Sequence, residues 1–168
     1  MRAHKRKKFI WTPPHMKLDR LGLPVPPRKP EIRKPLFWLT SVGYELYFVN
    51  NTNETLRCIT ASIAGFQTCD DAVLPMSEKG YSYNQIAPLD GVMIEEFDPI
   101  LDSDFIFQIS VTLHSPTLGK VDFRSPIELN NYRDIVLLWE TGEVGKYIYM
   151  GKQSNDTLNT SLDVATKQ

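Results

Sequence analysis

From residue 44 onward, apolar and polar positions alternate with a period of two. The clearest run is 105–114, where Phe105, Phe107, Ile109, Val111 and Leu113 share one side and Ile106, Gln108, Ser110, Thr112 and His114 the other. A strand with one buried and one wet face has this pattern. Pro116-Thr117-Leu118-Gly119 predicts a turn, after which Val121, Phe123, Ser125, Ile127 and Leu129 resume the period. Upstream, Tyr44-Glu45-Leu46-Tyr47-Phe48-Val49 is aromatic and β-branched and stops at Asn50-Asn51-Thr52-Asn53, a strong turn signal. Residues 55–63 predict the returning strand, with Gly65 and Cys69-Asp70-Asp71 as loop. Residues 91–97 predict a further strand, ended by Asp98-Pro99. The apolar run 135–139, the turn 141–145 and the stretch 146–150 complete the series. Residues 130–140 fit a strand or a helix. The pattern predicts about seven or eight short strands and no amphipathic helix, hence an all-β, antiparallel, immunoglobulin-like β-sandwich.

Residues 1–35 read differently. They hold seven of the 12 prolines. Proline lacks a donor and fixes φ, so no central strand or long helix forms there. The segment is expected to run extended, with a reach of about 100 Å. It also carries 11 of the chain's 19 basic residues against Asp19 and Glu31, a balance of +9, while residues 36–168 hold eight basic and 18 acidic groups, a balance of −10. The formal net charge of −1 hides this asymmetry. Apolar residues, among them Phe9, Trp11, Leu21 and Leu23, are spaced through the segment. Pure spacers avoid such residues, whereas segments that dock on a surface use them as anchors. Three parts follow: a basic, proline-rich arm (1–35), a sandwich (36–152) and a polar tail (153–168).

The functional classes narrow by elimination. Phe9-Ile10-Trp11 is too short an apolar core for a secretory signal, and no run approaches a membrane span, so a cytoplasmic protein without membrane contact is expected. Cys58 and Cys69 are then expected as plain thiols. His4, His15 and His114 lack metal-ligand spacing, and no cofactor or metal is expected. Glu95, Glu96, Asp98, Asp102 and Asp104 lack the spacing and central glycine of a calcium loop and read as a solvated acidic loop. Tyr81, Tyr83, Tyr147 and Tyr149 read as cross-strand packing rather than an exposed strip. Nucleophile-elbow, phosphate-loop and dinucleotide patterns are missing, so no enzyme and no small-molecule substrate is expected.

Two stretches resemble a known family. Residues 44–53 are similar to the opening strand and turn of a bacterial β-sandwich domain found just ahead of the Smr domain in MutS-related proteins. Ile86-Ala87-Pro88 followed by Met93-Ile94-Glu95-Glu96-Phe97 is similar to that family's proline turn and "EEF" strand. The resemblance covers residues 40–135. It implies a β-sandwich that serves as a binding module, with no catalytic residues to carry over. The Smr half is absent here, so no nuclease or repair role comes with it.

The expected function is a non-enzymatic adaptor. Its sandwich docks on a protein partner through edge strands or the acidic loop with Glu95 and Glu96, and its arm contacts nucleic acid, RNA ahead of DNA, or another anionic surface in a larger assembly. Arg2, Lys5, Arg6, Lys7, Lys8, Lys17, Arg20, Arg28, Lys29, Arg33 and Lys34 are the candidate phosphate contacts, with Phe9 and Trp11 as stacking anchors. The alternative is a purely protein-directed module. There Trp11, Leu21, Pro24, Pro26 and Pro27 form a linear peptide motif, and the arm binds an acidic groove of a partner.

Overall fold

The computed structural model describes residues 4–18, 21–23, 29–69, 72–75, 79–97, 105–128 and 134–153. Its strands are β1 (Arg6–Lys8), β2 (Pro35–Val42), β3 (Glu45–Asn50), β4 (Leu56–Cys69), β5 (Ala72–Pro75) and β6 (Lys79–Ile86), then β7 (Asp90–Glu96), β8 (Phe105–Ser115), β9 (Gly119–Glu128), β10 (Ile135–Trp139) and β11 (Tyr149–Gln153). A single 3-10 turn at Pro14–Met16 is the only helical element among the described residues.

Two antiparallel sheets form a β-sandwich, as the alternation predicts. The first has the order β1-β7-β3-β2-β10; the second has β11-β9-β8-β4-β5, with β6 also paired to β4. Phe37 of the first sheet meets Phe123 of the second, ring centroids 6.0 Å apart. Leu39, Phe48, Val92 and Ile94 join Ile59, Ile109, Val111, Leu113 and Val121 in one buried cluster. In β8 and β9 the predicted alternation holds: Ile109, Val111, Leu113, Val121, Phe123 and Ile127 are buried, while Gln108, Ser110, Thr112 and His114 are not. Phe105 and Phe107 have side chains outside the described set.

Several boundaries differ from the sequence reading. Gly65 is not in a loop; it pairs with Phe107 inside β4, which runs to Cys69. A glycine carries no side chain to report its pairing, so period-two reasoning stops there. Residues 135–139 are strand, settling the ambiguity on the described part of 130–140. The last strand begins at Tyr149 rather than residue 146, because Lys146 and Tyr147 turn the chain, with the Ile148 N–H bonded to the Gly145 carbonyl at 3.2 Å. The four tyrosines split: Tyr81 and Tyr83 are buried, and Tyr147 and Tyr149 are exposed. Cys58 is a free thiol.

The predicted turn after β3 is built on Asn50, which is fully buried. Its side-chain amide donates to the carbonyls of Glu54 (2.9 Å) and Ile86 (3.0 Å), and its Oδ1 accepts from the Thr52 N–H (3.1 Å) and hydroxyl (2.6 Å). A buried side-chain amide is tolerated when its donors and acceptor are met this way.

The first sheet is covered on both faces. Leu46, Tyr47, Phe48 and Val49 are consecutive and all buried, as are Val92, Met93 and Ile94. Such continuous apolar runs mark strands packed on both sides. One side meets the second sheet; the other carries the N-terminal segment.

Candidate interaction surface of the N-terminal segment

Residues 4–18 form a strap across the outer face of the first sheet. At one edge β1 pairs with β7, Arg6 opposite Val92, Lys7 opposite Gly91 and Lys8 opposite Asp90. The Met93 N–H bonds to the Lys5 carbonyl at 3.0 Å, and the Phe9 N–H to the Leu89 carbonyl at 2.9 Å. Prolines begin only at Pro13, so the backbone donors this edge needs are present. The chain then crosses the strands. Phe9 packs on Tyr47 (centroids 5.2 Å) and Trp38 (6.3 Å); Trp11 packs edge-on against Trp38 (5.0 Å) and Trp139 (6.1 Å). Lys17 reaches Asp134 beside β10 at the far edge, and Thr40 donates to the same carboxylate at 2.8 Å.

The strap's cations are engaged by the sandwich itself. Glu45 and Glu96 stand opposite each other across β3 and β7. Like charges facing across strands repel, and the Lys5 ammonium sits between them, 2.5 Å from Glu45 and 3.9 Å from Glu96. The hydrogen bond and charge of Glu45 raise the Lys5 pKa; Lys5 and the Tyr47 hydroxyl hold Glu45 below the usual carboxylate range. Burial, with the Glu45 hydrogen bond, pushes the Tyr47 phenol up. Arg6 donates to the carbonyls of Gln85 (2.8 Å) and Asn84 (2.6 Å) at the end of β6 and lies over the Tyr83 ring. Lys8 bridges Asp90 at 2.6 Å and the Pro88 carbonyl at 3.1 Å. The Lys7 ammonium lies 5.6 Å from the centre of the Tyr47 ring.

A second set of contacts fixes the chain just before β2. Arg33 pairs with Glu31 (2.5 Å) and Glu143 (2.9 Å), and its guanidinium stacks 4.1 Å from the centre of the Trp139 ring. These contacts raise the Arg33 pKa, and the guanidinium lowers that of Glu31. The Glu31 N–H bonds to Nδ1 of His15 at 3.0 Å, tying this stretch back to the strap.

Of the residues singled out from sequence, Lys5, Arg6, Lys7, Lys8, Phe9, Trp11, Lys17 and Arg33 are thus brought together against the sandwich. Lys29 and Lys34 are exposed, and neither is ion-paired among the described residues. Arg2, Arg20, Arg28, Pro24, Pro26 and Pro27 lie outside the described residues. Glu95 and Glu96 do not belong to a solvated loop: they end β7, and Glu95 is buried. The loop reading weighed carboxylate density, while the pairing of β7 with β3 continues through both residues. Asp98, Asp102 and Asp104 lie outside the described residues. Among the described residues no group of three or more metal-ligating side chains converges, and no helix is long and apolar enough to cross a membrane.

Sequence reasoning missed Glu45, Asp90 and Asp134 as the strap's receivers. One signal pointed that way. The continuous apolar runs Leu46 to Val49 and Val92 to Ile94 demanded a cover on the outer face. The anchors Phe9 and Trp11 were the uncommitted apolar residues able to supply it.

Several apolar residues of the N-terminal segment are exposed. Ile10 is 82% exposed, Leu21 82% and Ile32 88%, and Met16, Leu18 and Leu23 are exposed as well. Comparison with protein-family models, curated proteins and solved structures returned no match.

Proposed function

We propose that the protein is a non-enzymatic interaction module that docks on a protein partner through the outward face of its N-terminal segment. The observation that carries this reading is the division of that segment's apolar residues. Phe9 and Trp11 turn inward onto Tyr47, Trp38 and Trp139, and Ile10, Leu21 and Ile32 stay in water. Exposed apolar side chains concentrated on one segment are the usual mark of a protein-docking face. The strap, already fixed on the sandwich, presents Ile10 with little ordering cost on binding.

This favours the protein-directed alternative over a nucleic-acid arm. Phosphates binding at Lys5, Lys8, Lys17 or Arg33 would have to displace carboxylates of the same chain. The anionic-partner reading keeps one support, Lys29 and Lys34, which are exposed and have no ion pair among the described residues.

Two variants of the full chain separate the readings. One replaces Ile10, Leu21 and Ile32 with Asp; the other replaces Lys29 and Lys34 with Gln. Protein docking predicts that the first loses its partner at least about ten-fold, equivalent to roughly 1.4 kcal/mol, while the second keeps it. Loss in the second variant alone, with binding to RNA or DNA that falls steeply as salt rises, refutes protein docking and supports the nucleic-acid arm.

A further inference from the structure

The closed strap carries a cost. The connection between β6 and β7 holds two residues in the left-handed region, Gln85 (φ +53°) and Leu89 (φ +68°), neither of them glycine. Strain of this kind persists only where surrounding contacts hold it. The strap supplies those contacts: Arg6 donates to the Gln85 carbonyl at 2.8 Å, and the Phe9 N–H to the Leu89 carbonyl at 2.9 Å. Where the strap meets the sheet, the indole N–H groups of Trp11 and Trp38 are both buried without an acceptor. Water satisfies such donors once the strap lifts.

The hold on the strap is local and shallow. β1 is three residues long and exposed throughout. The ion pairs of Lys5 with Glu45 and of Lys8 with Asp90 lie near the surface, where each contributes little. The anchors Phe9 and Trp11 are only half-buried. Segments with few buried contacts open well before the fold as a whole. Opening bares the β7 edge and the apolar face of Trp38, Tyr47 and Val49, and a bare edge is a template for another strand.

The receiving surface specifies which strand. It offers backbone groups from Leu89 to Met93, a vacancy at Gly91 that takes an aromatic ring, and carboxylates at Glu45, Glu96, Asp90 and, at the far edge, Asp134. The segment from Lys5 to Lys17 meets all of them, and every copy of the protein carries one. Residues 18–30 join that segment to the stretch fixed through Glu31 and Arg33, and fully extended they reach about 40 Å. Four of these residues, Pro24, Pro26, Pro27 and Pro30, favour extended chain over a return to the same sheet. The balances of +9 and −10 draw the arm of one copy toward the body of another.

We propose that two copies of the protein exchange straps, each laying its N-terminal segment on the first sheet of the other with β1 of one copy beside β7 of its partner. Every contact of the closed chain is kept in the pair, so concentration sets the balance between the two forms. A linker of this kind gives docking within one chain an effective concentration on the order of millimolar, and exchange is expected toward that range. Ile10 stays outward in either form, so the exchange and the protein-docking face stand or fall separately.

The test uses the full chain. Sedimentation of the unmodified protein is expected to show monomer at about 10 μM and a substantial dimer fraction at about 1 mM. Two further chains, each with Cys58→Ser and Cys69→Ser, carry either Lys8→Cys or Asp90→Cys. Positions 8 and 90 face each other across β1 and β7, at a spacing that a disulfide bridges. Mixed at about 1 mM and oxidised, the two chains are expected to join through positions 8 and 90 roughly ten-fold more than when Lys120→Cys, on the second sheet, replaces Asp90→Cys. Changing Ile10, Leu21 and Ile32 to Asp is expected to leave that yield unchanged, which tells exchange apart from a dimer made through the docking face. The proposal is overturned if positions 8 and 90 join no more than the Lys120 control, or if the dimer forms without that disulfide. Sedimentation that shows monomer alone at about 1 mM overturns it too.

Discussion

Phe9 lies directly over Gly91, and its ring fills the space that a side chain at residue 91 would need. The vacancy on β7 thus admits the anchor of a segment more than 80 positions away. Gly91→Val is expected to expel the Phe9 ring from Tyr47 and Trp38 and to destabilise the fold by about 2 kcal/mol, the usual scale of overpacking. Phe9→Ala, which empties the same half-buried site, is expected to cost about 2 kcal/mol. The two act on one contact, so the double variant should lose clearly less than the sum. Urea unfolding of the four chains measures this. Strict additivity would mean that the strap does not depend on Gly91.

The ion pair of Lys5 with Glu45 ties strap stability to pH. Glu45 has its pKa depressed from the ordinary value of 4.5 by Lys5 and Tyr47. Its contribution is therefore fully present above pH 4.5 and disappears as the pH falls through the lower folded value. Lys5, raised above 10.5, works in the opposite sense: its contribution is present below that value and is lost as the pH rises through the folded one. Protection of the β1 amides, taken relative to the intrinsic exchange rate at each pH, should fall on acidification below pH 4.5, and Glu45→Gln should flatten that dependence. A profile unchanged by Glu45→Gln would show that other contacts hold the strap.

Asn50→Ala leaves the buried Ile86 carbonyl without its side-chain donor, while the Glu54 carbonyl keeps the Thr52 hydroxyl. An unmet buried group of this kind predicts a loss of about 1–3 kcal/mol, read as a shift in the thermal midpoint. A loss below about 0.5 kcal/mol, the range of neutral surface changes, would mean that solvent replaces the amide.

Tyr147→Gly should relieve the left-handed backbone and stabilise the protein by about 1 kcal/mol. Urea unfolding of the two chains measures this, and an unchanged or lower stability would mean that the turn stores no strain at Tyr147.

The β-sandwich was legible because strand periodicity is local. Residues 105–113 and 121–127 announce β8 and β9 through alternation alone, and Asn50-Asn51-Thr52-Asn53 announces the turn after β3. Even Lys5 through Lys8 were legible as a cluster of unusual charge. What they face was not. Lys5 meets Glu45 across 40 positions and Lys17 meets Asp134 across 117, and no window of sequence contains both partners.

The sequence by itself determined the all-β sandwich class, the inner face of β8 and β9, and the charge contrast between the first 35 residues and the rest. Only the tertiary structure decided that much of this basic segment belongs to the sandwich. That decision follows from burial. The outer face of β2, β3 and β7 carries Trp38, Tyr47, Val49 and Met93, and leaving that much apolar surface in water costs more than holding the strap in place. The cations follow the anchors down, onto carboxylates that chain distance had kept apart.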